Sequence, residues 1–114
     1  MSLRLTPDML AAAYDFLRTT EPFRGWKLPE SDDVGFCVVR DPKMYADFGM
    51  EGGTPVIRIS EAKNGYTSTL LATMGHEMIH LRQEIIRDRS HHGALFKRMA
   101  AQVCRAHGFD LKTF

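Results

Sequence analysis

The chain has 114 residues, of which 44% are apolar and 25% charged, and its formal net charge is +1. That is the size of one ordinary globular domain able to bury its own core, so residues 1–114 read as a single domain. The near-zero charge argues against nucleic-acid binding by bulk electrostatics. Two cysteines without a CxxC pair exclude a zinc ribbon, and no apolar run approaches a membrane span.

The N-terminal "MSLRLTPDML" has no long apolar leader segment. Cys37 and Cys104 both lie in apolar runs and read as small core residues in a reducing compartment. A cytoplasmic location with no membrane partner is the expectation.

"LTPDMLAAAYDFLRTTEP" opens a helix, with Thr6 as N-cap, Pro7 at the first helical position and Asp8 in the first turn. Leu10, Ala13, Tyr14 and Leu17 form its apolar stripe, and Pro22 bars continuation. "FRGWKLPESDD" is a loop anchored by Phe23 and Trp26. "VGFCVVRD", residues 34–41, is short and rich in Val and Phe, as strands are. Tyr45 to Phe48 suggest a further strand, followed by a Gly52-Gly53 turn. "PVIRISEA" alternates and reads as a half-buried strand near a sheet edge, given Pro55.

A turn at Asn64-Gly65 leads into a long helix over about residues 67–88, with Leu71, Met74, Met78, Leu81 and Ile85 as its core seam. "RSHHG" breaks that pattern. "GALFKRMAAQVCRAHG" is a last helix with Leu95, Met99 and Val103 inward and Gly108 as a left-handed cap. Helices and strands are segregated, which predicts an α+β fold with a two- to three-stranded sheet. From Arg82 onward there are seven Lys/Arg against three Asp/Glu, whereas the preceding part has eight against eleven. The C-terminal third is therefore mildly basic, as a solvated helix face often is.

"TMGHEMIHLRQE", residues 73–84, carries the chemistry. Helix residues four apart differ by about 40° in direction and about 6 Å along the axis. His76 and His80 thus project from adjacent turns toward one point and can share a zinc ion. Glu77 is rotated about 100° from His76, which suits a general base better than a third ligand. Gly75 leaves room for close approach beside the site, at a helix cost of up to about 1 kcal/mol relative to Ala.

A catalytic zinc needs a third protein ligand. Glu84 lies on the same helix and suits a hydrogen bond to an imidazole or a place in solvent. His107 sits at a helix C-terminus, where the dipole favours it, and Cys104 reads as core. His91 and His92 remain, both placed where a chain reversal returns the last helix across the long one. Tyr66, Tyr45, Arg58 and Arg82 are candidate oxyanion donors. The "PVIRIS" strand could present an extended peptide by edge addition. Ser90 beside His91 has no orienting third group, and no phosphate-binding Gly loop is present.

"TLLATMGHEMIHL" followed by "HHGALFKRM" resembles the SprT-like family of zinc metallopeptidases, which includes the Spartan DNA–protein crosslink proteases. In that family an HExxH helix is followed by a histidine-glycine with an aromatic residue three positions on, here His92, Gly93 and Phe96. "W-x-LP" at Trp26, Leu28 and Pro29 and "VIRIS" before the metal helix are similar too. The resemblance implies a small zincin-like metalloprotease core with His76, His80 and His92 as Zn2+ ligands, Glu77 as base, and a protein or peptide substrate. It favours His92 over His91. Spartan-type members extend beyond this core with nucleic-acid-binding segments, and many bacterial relatives carry a zinc ribbon. This sequence stops at Phe114 without either, so the resemblance covers the protease core and DNA stays an open partner.

Two other readings start from the same residues. One is a zinc-containing, nucleic-acid-associated binding module with lost or gated proteolysis. The other is a metal-free domain in which His76 and His80 belong to a polar helix face and pair with Glu84 or Asp88.

Overall fold

Helix α1, Pro7–Arg18, begins as the capping pattern requires: the Thr6 side chain accepts from the Met9 N–H, and Pro7 occupies the first turn. The protein is represented by a computed structural model that describes residues 4–114. Residues 1–3, with which both the expected single domain and the N-terminus read as lacking a leader begin, lie outside the described residues. Leu10, Ala13, Tyr14 and Leu17 are all buried, so the 3.6-residue stripe faces the core as its spacing predicts.

The loop after α1 is fastened by side chains that reach its backbone. Tyr14 donates to the Pro29 carbonyl at 2.5 Å, Arg18 Nε to the Leu28 carbonyl at 3.1 Å, and Arg82 Nη1 to the Trp26 carbonyl at 2.7 Å. Burial pushes the Tyr14 phenol pKa up, with Arg18 opposing it. Short 3₁₀ turns at Phe23–Gly25 and Ser31–Asp33 complete the path.

Three strands follow: β1, Gly35–Val39; β2, Ala46–Glu51; and β3, Thr54–Ser60. β2 and β3 form an antiparallel hairpin through Gly52 and Gly53, whose φ values of 58° and 83° belong to the left-handed region of a tight hairpin turn. β1 pairs with β3 in parallel, from Gly35↔Val56 to Val39↔Ser60. The sheet order is β1-β3-β2.

β3 is therefore the central strand, which corrects the edge position read from Pro55. Proline lacks one donor, but it stands next to the turn, opposite Met50, where the ladder tolerates the loss. Ile57, Ile59 and Ser60 are fully buried, with Val56 nearly so. Among the described residues the sheet's edges are β1 and β2. Cys37 is exposed on edge strand β1, contrary to the core reading, whereas Cys104 is buried; both thiols are free.

Buried Asn64 ties the hairpin to the next helix by donating to the Ser60 and Tyr45 carbonyls at 2.8 and 3.0 Å. Helix α2, Thr67–Ile86, then crosses the middle of the molecule and packs on α1, β2, β3 and the last helix. Leu70, Met74, Met78, Ile79 and Leu81 are its buried seam. Of the expected seam, Leu71 is only half-buried and Ile85 is 41% exposed, while Leu70 and Ile79 are buried in addition. Arg87 in the left-handed conformation, φ 60°, ends α2, and the Asp88 N–H closes on the Gln83 carbonyl at 2.9 Å.

Helix α3, Ala94–His107, buries Phe96, Met99, Ala100, Val103 and Cys104 and is capped by Gly108 at φ 74°. Among the described residues the architecture is α+β, with three α-helices and a three-stranded sheet, as the sequence predicts. Among the described residues no helix is long and apolar enough to cross a membrane.

Candidate metal centre

His76 and His80 project from one flank of α2, beside the core seam rather than in it, and both are half-buried. The reversal over Arg87–Gly93 brings His92 over the same flank. His92 Nε2 lies 3.2 Å from His80 Nε2 and 3.3 Å from His76 Nε2. One nitrogen from each ring falls within 4.8 Å of the others.

These distances suit a metal ion. Two nitrogens each roughly 2.0–2.1 Å from one tetrahedral zinc lie about 3.3–3.4 Å apart. The hydrogen bonds suit it too. His76 Nδ1 is 2.9 Å from the Phe114 main-chain oxygen, which can only accept. Nδ1 must carry the hydrogen, leaving Nε2 as a lone pair aimed at the cluster. Phe96 packs beneath, stacked on His80 at 4.9 Å and edge-on to His76 and His92 at 4.9 and 4.8 Å.

The electrostatics favour neutral rings, the form that ligates metals. Burial pushes the His80 pKa down to about 4, against the pull of its bond to Gln83. Burial also lowers His76, with Phe114 opposing and His92 and His91 adding to the fall. His92 is lowered by burial and by neighbouring His91.

Glu77 is 5% exposed, on the wall between two recesses that both also contact His76. Burial, helped by Asp47, pushes its carboxyl pKa up to about 8. A nearby cation would draw it back down. One recess, about 340 Å³, runs past Ala46, Asp47 and Phe48 of β2 toward His92. The other, about 620 Å³, runs along Ser68, Thr69 and Thr73 toward Phe109 and Phe114.

The remaining sequence candidates fall elsewhere. His91 turns its Nδ1 toward His92 Nδ1 at 3.0 Å, stacks on His80 and stands outside the converging set. His107 Nε2 pairs with the Thr20 hydroxyl at 2.9 Å. Glu84 is exposed; the partner of His80 is its neighbour Gln83, whose Oε1 lies 2.7 Å from Nδ1. Gln83 stands three residues after His80 on the same helix flank, a spacing that could have revealed it. The Phe114 contact had no local signal.

Of the four oxyanion candidates, Tyr45 lines the cleft. Arg82 is spent on Trp26, Arg58 pairs with Asp47 at 2.6 Å and Glu51 at 2.8 Å, and Tyr66 is exposed at the start of α2. A β-carbon at Gly75 would meet Phe23, Val103 and Phe114 at 3.5–3.7 Å, so this position faces the core and not the histidine flank.

No curated protein matched the chain. The SprT-like family model matches residues 15–113, which takes in the W-x-LP loop, the sheet, both histidines of α2 and the His92-Gly93 turn. The chain belongs to the SprT-like family.

Proposed function

We propose that the protein is a zinc metallopeptidase, a single SprT-like domain over 1–114 acting on protein or peptide chains in the cytoplasm. The observation that carries this reading is the convergence of three imidazole nitrogens beside a buried carboxyl. His76, His80 and His92 would hold the zinc, and three protein ligands leave a coordination position open for reaction. Zinc, when bound, supplies Lewis acidity that acidifies water and polarises the scissile carbonyl.

The chain's own residues do the rest. Glu77 removes a proton from the attacking water and delivers it to the leaving amine. Tyr45, the one of the four sequence candidates that lines the cleft and is not spent elsewhere, serves as the donor toward the developing oxyanion. β2 offers an unpaired edge, and its Ala46, Asp47 and Phe48 run beside Glu77. An extended substrate adds to that edge as a further strand, which presents its peptide bond to the cleft. On this reading the substrate lies on β2 rather than on the "PVIRIS" strand. Two free cysteines accord with a reducing compartment.

The test pairs zinc analysis of untagged protein with hydrolysis of an unfolded protein substrate. Wild type retains zinc and cleaves. Glu77→Gln retains zinc and loses roughly 10²- to 10⁴-fold in rate. Cleavage by that variant at the wild-type rate would end the proposal.

A further inference from the structure

Gln83 is 3% exposed, near the C-terminal end of α2. The two ends of a side-chain amide look alike, so its neighbours decide which is oxygen. One end faces the His91 main-chain oxygen at 2.6 Å and Asp88 Oδ2 at 3.0 Å. A carbonyl and a carboxylate accept, so the amide NH2 belongs there and both its hydrogens are used. Asp88 is an ionised acceptor: bonds from Gln83 and then Ser90 hold its carboxyl below the usual range.

Gln83 Oε1 is thereby left facing His80 Nδ1 at 2.7 Å. An amide oxygen accepts, so His80 Nδ1 must carry the hydrogen. His80 Nε2 then presents a lone pair, on the side where His92 Nε2 lies 3.2 Å away.

The same amide also grips the reversal. His91 directly precedes His92 and sits in the left-handed region, φ 56°. Its carbonyl is held by Gln83, so the height of the next ring above α2 depends on that bond. Ser90 reinforces the arrangement, its N–H and hydroxyl donating to Asp88 at 3.1 and 3.0 Å.

We infer that Gln83 is a positioning residue that both sets the tautomer of His80 and ties the segment carrying His92 to α2. One side chain thus brings lone pairs from two separate segments to one point. The zinc part of this inference rests on the metallopeptidase reading; the tautomer part does not.

The experiment compares wild type, Gln83→Met and Gln83→Glu. Imidazole ¹⁵N resonances of the metal-free proteins report the tautomer, chelator competition reports zinc affinity, and amide exchange over 88–93 reports the tether. Wild type shows His80 protonated on Nδ1. Gln83→Met loses that preference and binds zinc about 10- to 100-fold more weakly. Gln83→Glu keeps an acceptor for His80 but loses both donors, so the tautomer persists while exchange over 88–93 quickens and zinc affinity falls. If Gln83→Met does not fold, Gln83→Glu decides.

A wild-type His80 protonated on Nε2 overturns the inference. So does a lowered melting temperature in the variants with tautomer and zinc affinity unchanged, since that is a purely structural role. A wild type that binds no zinc ends the metallopeptidase reading. The tautomers of wild type and Gln83→Met then decide this inference alone.

Discussion

His92 Nε2 lies 3.3 Å from His76 Nε2, across sixteen residues of chain and a full reversal of direction. His91, its immediate neighbour, points past the cluster. His92→Ala is therefore expected to weaken zinc binding by more than the roughly 10- to 100-fold cost of losing an outer hydrogen-bond partner. His91→Asn, chosen because asparagine tolerates positive φ, should change affinity by less than about tenfold. Chelator competition checks both. The reverse ranking would make His91 the ligand.

Zinc that binds the folded site and not the unfolded chain must raise stability by mass action. With free zinc at a hundred times its dissociation constant, the expected gain is about 2.7 kcal/mol. Thermal unfolding with zinc and with excess chelator measures it. Coincident transitions would mean that the three imidazoles hold no ion.

Gly93 is required by a close approach. A β-carbon there would stand 2.8 Å from Ser90 Cβ and 3.2 Å from the Ser90 carbonyl oxygen. Gly93→Ala should cost roughly 1–3 kcal/mol by overpacking, and it should weaken zinc binding because Ser90 braces the turn before His92. Urea unfolding and zinc titration test this. Wild-type values for both would show that the turn yields freely.

Gly75 behaves in the opposite way. An added methyl would make ordinary contacts with Phe23, Val103 and Phe114 at 3.5–3.7 Å. Gly75→Ala should gain up to about 1 kcal/mol through helix propensity. A rise in the urea midpoint checks it; a clear fall would mean that the space is tighter than these distances.

Tyr14 is fully buried, and its hydroxyl donates to the Pro29 carbonyl at 2.5 Å. Tyr14→Phe should lower stability by roughly 1–2 kcal/mol. Chemical denaturation provides the number. A variant as stable as wild type would show that the W-x-LP loop does not depend on this bond.

The sequence alone determined the features that local geometry controls. Thr6, Pro7 and Gly108 announced helix ends because capping involves residues within one turn. His76 and His80 announced a shared ligand direction because helical spacing leaves no other arrangement. The His92-Gly93 pattern was legible by resemblance. The tertiary structure decided whatever depends on partners distant in sequence. Pro55 suggested an edge, yet β3 lies between β1 and β2, because strand pairing is non-local. Cys37 sits in an apolar run but is the exposed residue of edge strand β1. Glu84 was read as a partner for an imidazole or as a solvent residue; it is exposed, and Gln83 holds His80 because the reversal after Arg87 set two acceptors against its amide. The main-chain oxygen that orients His76 comes from Phe114, thirty-eight residues away. Helical spacing aims two rings at a common point; only the packing of the whole chain brings up the third ring and the groups that fix their tautomers.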